Sequence, residues 1–453
     1  MAGRFKRMLV ANRGEIAVRI IRAARELGLE TVAVHSDADR EGLAVRMADS
    51  AVAIGPPPAA KSYLNIDAMV RAAVDSGAEA VHPGYGFLSE NAAFAQAVES
   101  AGLVFVGPTP ETIRMMGNKS RALETAAKAG VPTIPGSDGV VETIDGALHA
   151  ADSVGYPVMV KASAGGGGRG IRVATDAQEL RKQVSVAQTE AQAAFGDGSV
   201  YLERFIRRAR HVEVQVLGDG SEVIHCFERD CSLQRRRQKV LEEGPSPALS
   251  QATRERLCES AVRLAKSVGY RSAGTLEYLY DGDSGEFFFI EMNTRIQVEH
   301  PITEMITGID LVREMIRVAQ GYPLRFKQDD IAMRGAAIEC RINAEDPDKN
   351  FMPSPGRISE INLPGGPGVR MDTMLYPGCT VPPYYDSLLG KLVVHAEDRP
   401  AAIARMRRAL KELRVEGVNT TRALHLRIMD EPWFGAAQFD TNSLEGWLAA
   451  RPS

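Results

Sequence analysis

Along the first hundred residues, short apolar runs alternate with stretches in which apolar residues return every three or four positions. RMLVANRG reads as a strand. It is followed by a helix with Ile16, Ile20, Ala23, Ala24 and Leu27 on one face, then a strand, TVAVH, and an acidic turn, SDADRE. The alternation continues through DAMVRAAVDSG (helix), AEAVHPG (strand), ENAAFAQAVESAG (helix) and LVFVGP (strand), which predicts a parallel sheet within residues 1–106. Its first turn is ANRGE rather than GxGxxG, so this Rossmann-like domain is not expected to hold a dinucleotide. A mostly helical connector spans 107–132 and carries Lys119 near a helix start. A compact α/β segment is expected over 133–203. From about 205 the period changes to two (HVEVQVLGD, EVIHCFERD, AGTLEYLYD, EFFFIEMNTRIQVE), and 204–453 reads as a β-rich core and C-terminal portion closed by helices such as AAIARMRRALKEL.

Composition narrows the class. A chain of 453 residues with 44% hydrophobic and 25% charged residues suits roughly two to four globular domains. The 54 basic and 58 acidic residues leave a net charge of −4, which gives no global field for nucleic acid or a membrane surface. The five cysteines are odd in number and lack CxxC spacing, so neither a disulfide framework nor a zinc site is expected. There is no apolar leader and no run long enough to span a bilayer, and a cytoplasmic location follows as the expectation.

Four consecutive glycines stand between PVMVK and IRVA, in KASAGGGGRG. Such a run is entropically costly unless something approaches the backbone closely. No helix follows as the dinucleotide fingerprint needs, and no Lys-Ser/Thr pair follows as a P-loop needs. What remains is a strand, glycine loop, strand hairpin whose N–H groups can lie over polyphosphate, flanked by Lys161 and Arg169. The other informative stretch is EMNTRIQVE. Read as extended chain, it puts Glu291, Asn293, Arg295, Gln297 and Glu299 on one face. Glu277, Glu291 and Asn293 offer hard oxygen ligands suited to Mg²⁺ or Mn²⁺. Arg295 and Gln297 suit a small anion, and Glu299 a base. A solvated edge-strand face is the bland alternative. His211 alternates with Val212 as a modest ligand contact, QRRRQK suits anion binding in a cleft rather than nucleic acid, and Arg341 reads equally well as a structural ion pair or a catalytic cation.

HPGYGFLSEN, KASAGGGGRG, ERDCS, QRRRQK, EMNTRIQVEHP, ECRINAEDP and VPPYYDSL with GKL occur in the order found in biotin carboxylases, and the resemblance covers the chain from about Lys6 to Leu448. It implies an α/β and α+β multidomain protein: a Rossmann-like N-terminal domain, an ATP-grasp fold with a mobile glycine-rich lid, and a β-rich C-terminal domain. By the same resemblance Lys119 and Lys161 lie on ATP phosphates, and Gly165, Gly166, Gly167 and Gly168 form the lid. Glu203 and Ile206 hold adenine, with His211, Gln234 and Leu279 as further nucleotide contacts. Glu277, Glu291 and Asn293 resemble the metal set, two ions being implied. Arg295, Gln297 and Val298 resemble the bicarbonate pocket and Glu299 its base. Lys239 resembles the lysine at the bicarbonate and carboxyphosphate site, Arg341 the cation for the biotin enolate, and Tyr85 a wall of the biotin pocket.

The implied reaction is ATP-dependent carboxylation of biotin from bicarbonate through carboxyphosphate, the first half-reaction of an acetyl-CoA or other acyl-CoA carboxylase. No MKM biotinylation motif occurs, so biotin is expected on a separate biotin carboxyl carrier protein, with carboxyltransferase subunits and a homodimer as further partners. Three positions depart from the commonest pattern: Ala164 in the lid, Arg204 for a lysine, and Arg237 for a histidine. Competing readings are a carbamoyl-phosphate synthetase-like ligase, an inactive scaffold of the same fold, and, more remotely, a nicotinamide oxidoreductase.

Overall fold

The computed structural model describes residues 5–162, 171–195 and 198–450. Two compact units emerge: Met1–Val131 with Arg210–Tyr278 and Glu291–Ser453, and Pro132–Ala209 with Leu279–Ile290.

The first unit opens with the expected parallel sheet. Strands β1 (Arg7–Val10), β2 (Glu30–Ser36), β3 (Ser50–Gly55), β4 (Ala80–His82) and β5 (Val104–Phe105) lie in the order β3-β2-β1-β4-β5, every pair parallel. The periodicity placed four of these strands. It missed β3 (SAVAIG), an edge strand in which only Ile54 is buried. Helix α1 (Gly14–Glu26) buries Ile16, Ile20, Ala23 and Ala24 as its spacing requires. It stops where Gly28 adopts a φ of +73°, a conformation that costs glycine no Cβ clash. Lys119 is the first residue of the helix Lys119–Lys128, where the Asn118 side chain accepts a hydrogen bond from the Arg121 N–H.

The largest sheet among the described residues has eight strands. It contains β9 (Ala209–Asp219), β10 (Val223–Arg235), β11 (Gln238–Gly244), β12 (Arg271–Asp281), β13 (Phe287–Asn293) and β14 (Ala336–Asn343), followed by Leu388–Ala396 and Val369–Thr373. The spatial order is β13-β12-β9-β10-β11-β14, then those two strands. One face, with Leu233, Leu241, Ile338, Cys340 and Leu392, is covered by apolar side chains of the C-terminal helices, including Met406, Leu410 and Leu424. The other face carries the charged residues discussed below.

The second unit holds β6 (Val158–Ala162), β7 (Ile171–Ala174) and β8 (Val200–Arg204), ordered β7-β6-β8 and antiparallel. Val158, Val160, Ala174, Val200 and Leu202 pack with Ala147, Leu180 and Val184 of two helices. Lys161 pairs with Ile171, so the strands flanking the glycine run do form a hairpin. Gly165, Gly166, Gly167, Gly168 and Ala164 lie outside the described residues. A linear reading puts this segment at 133–203, but the compact unit also takes the β12–β13 tip. Gly282 N–H donates to Arg208 O (3.0 Å) and Phe289 N–H to Pro132 O (2.8 Å). A hairpin tip packed far from its own strand bases leaves no mark in hydrophobic periodicity.

Candidate active site

Lys239 reaches the charged face through an irregularity. Gln234 pairs with Lys239 and Leu233 with Leu241, so Val240 has no residue opposite it. This bulge reverses the alternation along β11 and puts Lys239 on the same face as Glu242. Arg236 and Arg237, at the β10–β11 turn, both have positive φ (+49° and +66°), the mirror-image turn a two-residue hairpin needs.

The extended reading of EMNTRIQVE fails beyond Asn293. β13 ends there, and Glu299 instead immediately precedes the helix His300–Thr307, with Pro301 in its first turn. Proline is well suited to that position because the first-turn N–H groups have no partner within the helix. The polar residues still converge, through a turn rather than by strand alternation. Arg295 Nε donates to Glu90 Oε2 (2.8 Å), Nη1 to Gln297 Oε1 (3.2 Å) and Nη2 to Asn293 Oδ1 (3.0 Å). Asn293 Nδ2 and Gln297 Nε2 donate to Glu277 Oε1 at 2.8 and 3.2 Å.

Glu299 is fully buried. Its Oε1 accepts from Lys239 Nζ at 2.6 Å, and its Oε2 from Arg341 Nη2 at 3.0 Å. Burial alone would raise its pKa. Lys239, Arg341 and Arg229 outweigh burial and hold it well below the usual carboxylate range. Glu277 is lowered in the same way, burial being overcome by Lys239 and His211. Lys239 also donates to Glu213 (2.5 Å) and Glu277 (3.1 Å). Desolvation works against its charge, but these three carboxylates raise its pKa well above the ordinary lysine value. Arg341 Nε donates to Glu242 at 2.5 Å, so its two sequence readings, structural ion pair and site cation, coexist. Glu242 is pushed up to about 7, chiefly by burial, with Arg341 opposing the rise.

A cavity of about 610 Å³ is lined by Tyr85, His211, Lys239, Arg295, Gln297, Val298 and Arg341, together with Glu277, Glu291 and Asn293. Glu299 stands directly behind Lys239 and Arg341. The structure thus brings together the residues expected for bicarbonate, biotin and metal. Among the described residues, no hydrogen bond or ion pair reaches the Glu291 side chain, whose pKa is raised by burial and then by Glu277. A carboxylate with no side-chain partner beside a second carboxylate suits a divalent cation. His211 sits 2.9 Å from Glu277 and contacts Gln234 at 2.8 Å. Of the nucleotide residues in the second unit, Lys161 is ion-paired with Glu203, and Leu279 packs against the apolar cluster of Ile206, Ala209 and Phe288. From QRRRQK, Arg237, Gln238 and Lys239 line the cavity, whereas Arg235 bonds to Asn350 (2.8 Å).

The sequence reading assigns no site role to Glu213, Arg229, Glu242 or Glu90. Arg229 has no exposed side chain. It donates to Glu213 (2.6 Å), Gln215 (2.8 Å) and Thr303 (2.7 Å), fixing the carboxylate that Lys239 shares. Charged residues inside period-two apolar runs, as in EVQV and CFERDC, were the available signal.

Three family descriptions match successive parts of the chain: biotin carboxylase N-terminal domain over 4–113, carbamoyl-phosphate synthase L chain ATP-binding domain over 118–327, and biotin carboxylase C-terminal domain over 339–446. A biotin carboxylase of Nostoc sp. is 56% identical over 443 residues, covering 98% of this chain and 99% of the relative. The chain belongs to the biotin carboxylase family. Biotin carboxylase 1 of Bacillus subtilis is 54% identical, with 97% and 98% covered. The biotin carboxylase domain dimer of Hydrogenobacter thermophilus 2-oxoglutarate carboxylase, solved with MgADP, ADP and bicarbonate, superposes with a TM-score of 0.88 at 48% identity, covering 99% of each chain. The expected fold and activity, ATP-dependent carboxylation of biotin by an ATP-grasp ligase, are those of the family, whose members serve as subunits of biotin-dependent carboxylases. Among the described residues, no helix is long and apolar enough to cross a membrane.

Proposed function

We propose that this chain carboxylates biotin presented on a separate carrier protein, with Glu299 as the base toward bicarbonate. The observation that carries the assignment is Glu299 clasped between Lys239 and Arg341 at the wall of a cavity that also presents Arg295 and Gln297. Bicarbonate drawn to Arg295 and Lys239 competes with Glu299 for the ammonium, which brings the anion against the carboxylate. Glu299 takes the bicarbonate proton, and an oxygen of the anion attacks the γ-phosphorus of ATP, releasing ADP and forming carboxyphosphate. Carboxyphosphate splits to CO₂ and phosphate. Phosphate removes the proton from biotin N1′, and N1′ then bonds to CO₂ while Arg341 stabilises the enolate oxygen.

Lys119, Lys161, Glu203, Ile206, His211, Gln234 and Leu279 bind the nucleotide, with Gly165 to Gly168 as its lid. Glu277, Glu291 and Asn293 hold Mg²⁺ or Mn²⁺, which supplies charge neutralisation at the phosphates when bound. Tyr85 and Arg341 contact biotin. A biotin carboxyl carrier protein, carboxyltransferase subunits and a second copy of the chain complete the assembly, and the cytoplasm is its compartment.

The test is ADP release with Mg²⁺ and bicarbonate, with and without free biotin, for the wild type and Glu299→Gln. Biotin-stimulated, bicarbonate-dependent turnover that collapses in the variant is the expected result. Turnover indifferent to biotin would instead assign a different bicarbonate-phosphorylating ligase.

A further inference from the structure

Behind the cavity wall lies a lysine that none of these roles uses. The Lys391 side chain, on strand Leu388–Ala396, has no solvent exposure. Its Nζ donates to Val298 O at 2.8 Å and lies 3.1 Å from Glu15 Oε1. Glu15 in turn accepts the Tyr85 hydroxyl hydrogen bond. Glu15, Tyr85 and Val298 line the cavity, so Lys391 grips two of its walls from behind.

Packing alone does not account for this lysine. A fully desolvated ammonium is expensive, and an apolar side chain of similar volume would fill the space as well or better. Across its two strand pairs Lys391 faces Arg341, a like charge, and Asp372, an opposite one, so the sheet by itself gives no net reason for its charge. Its contacts, however, are placed where function needs them. Val298 lies between Gln297 of the anion pocket and Glu299, so the bond to its carbonyl sets the path of that segment. Tyr85 is held at both ends, its hydroxyl by Glu15 and its carbonyl by Asn12 Nδ2 at 2.7 Å. The preceding Gly84 has a φ of +64°, and a Cβ there would come within 2.9 Å of the Asn12 amide. The loop is therefore committed to this fit.

We propose that Lys391 and Glu15 are positioning residues for the carboxylation reaction: one buried ion pair locks the Tyr85 wall and the Gln297–Glu299 segment into a single register. The inference rests on the assignment of those two walls to biotin and bicarbonate given above.

The full chain tests it through Lys391→Met, Glu15→Gln and the double variant. Lys391→Met leaves Glu15 buried without its cation and lowers both the melting temperature and turnover. The double variant removes both charges of the pair, although Glu339 and Asp372 also lose the cation they face, so its melting temperature lies above that of Lys391→Met. Its kcat with saturating biotin and bicarbonate stays down about tenfold to a hundredfold, the scale of a small misplacement of reacting groups, while KM for ATP stays within about twofold of wild type. Recovery of turnover together with melting temperature would show the pair to be structural only and overturn the proposal. Should the double variant not fold, Glu15→Gln decides alone: kcat reduced severalfold at an unchanged KM for ATP supports positioning, and wild-type kcat overturns it. A wild type with no biotin-stimulated turnover is a separate outcome, which removes the functional assignment itself and this inference with it.

Discussion

The two units hold their site residues in opposite ways. In the first, charges are buried together. Arg229 and Glu213 have no exposed side chain, Glu299 is equally enclosed, and Lys239 is shared by three carboxylates. In the second, Lys161 has one ionic partner among the described residues, Glu203, and both side chains remain about one-fifth exposed (23% and 18%). A network with several partners per charge resists rearrangement, whereas a single, partly exposed pair has fewer contacts to lose and is more readily exchanged for a ligand. The contrast matches the proposed chemistry. Groups that direct proton transfer need fixed geometry, and a group that meets nucleotide phosphate must release its own counter-ion when the ligand arrives.

The largest expected effect is on turnover. Glu299→Gln lowers bicarbonate-dependent ADP release about 10²- to 10⁴-fold, the usual contribution of a general base. Loss of less than about tenfold would move the base elsewhere. Next is the stability contrast. Arg229→Met takes one of two cations from the buried Glu213 and costs about 3–5 kcal/mol by urea unfolding, while Lys161→Met costs under about 1 kcal/mol because the pair it removes is partly solvent-exposed. Equal losses would erase the distinction between the units. Glu291→Gln removes one of two adjacent carboxylates and raises the Mg²⁺ concentration for half-maximal ADP release about tenfold or more, as expected for loss of a hard-oxygen ligand.

A subtler test uses pH. Glu242 has a raised pKa, about 7 against an ordinary 4.5, so the folded chain keeps a proton that the unfolded chain has already released between those values. The stabilisation from that retained proton is complete below pH 4.5 and is lost as pH rises through about 7. Relative to Glu242→Gln, the wild type therefore loses stability across that window and runs parallel to the variant above it, as read from urea midpoints at each pH. The smallest effect is at Arg204, whose ion pair with Glu286 is largely exposed (37% and 58%). Arg204→Lys shifts stability by under about 0.5 kcal/mol.

Much of the molecule was legible before any tertiary information. Four of the five parallel strands, α1 and its apolar face, and the long strands β9, β10 and β12 follow from periodicity, because backbone geometry imposes repeats of 3.6 and 2 on any chain that buries one side. The chemical types of the site residues were equally plain, since Glu, Asn, Arg and Gln spaced through EMNTRIQVE have few packing explanations. Where those residues point was decided elsewhere. Glu299 meets Lys239 and Arg341 through the start of a helix, not through strand alternation. Lys239 shares a face with Glu242 because Val240 bulges out of the β10–β11 register. Glu15 and Lys391, far apart in sequence, meet only through the tertiary fold. Local sequence determines which repeat a segment adopts. Pairing register and the partners of buried charges depend on burial summed over the whole fold, and no single stretch contains that sum.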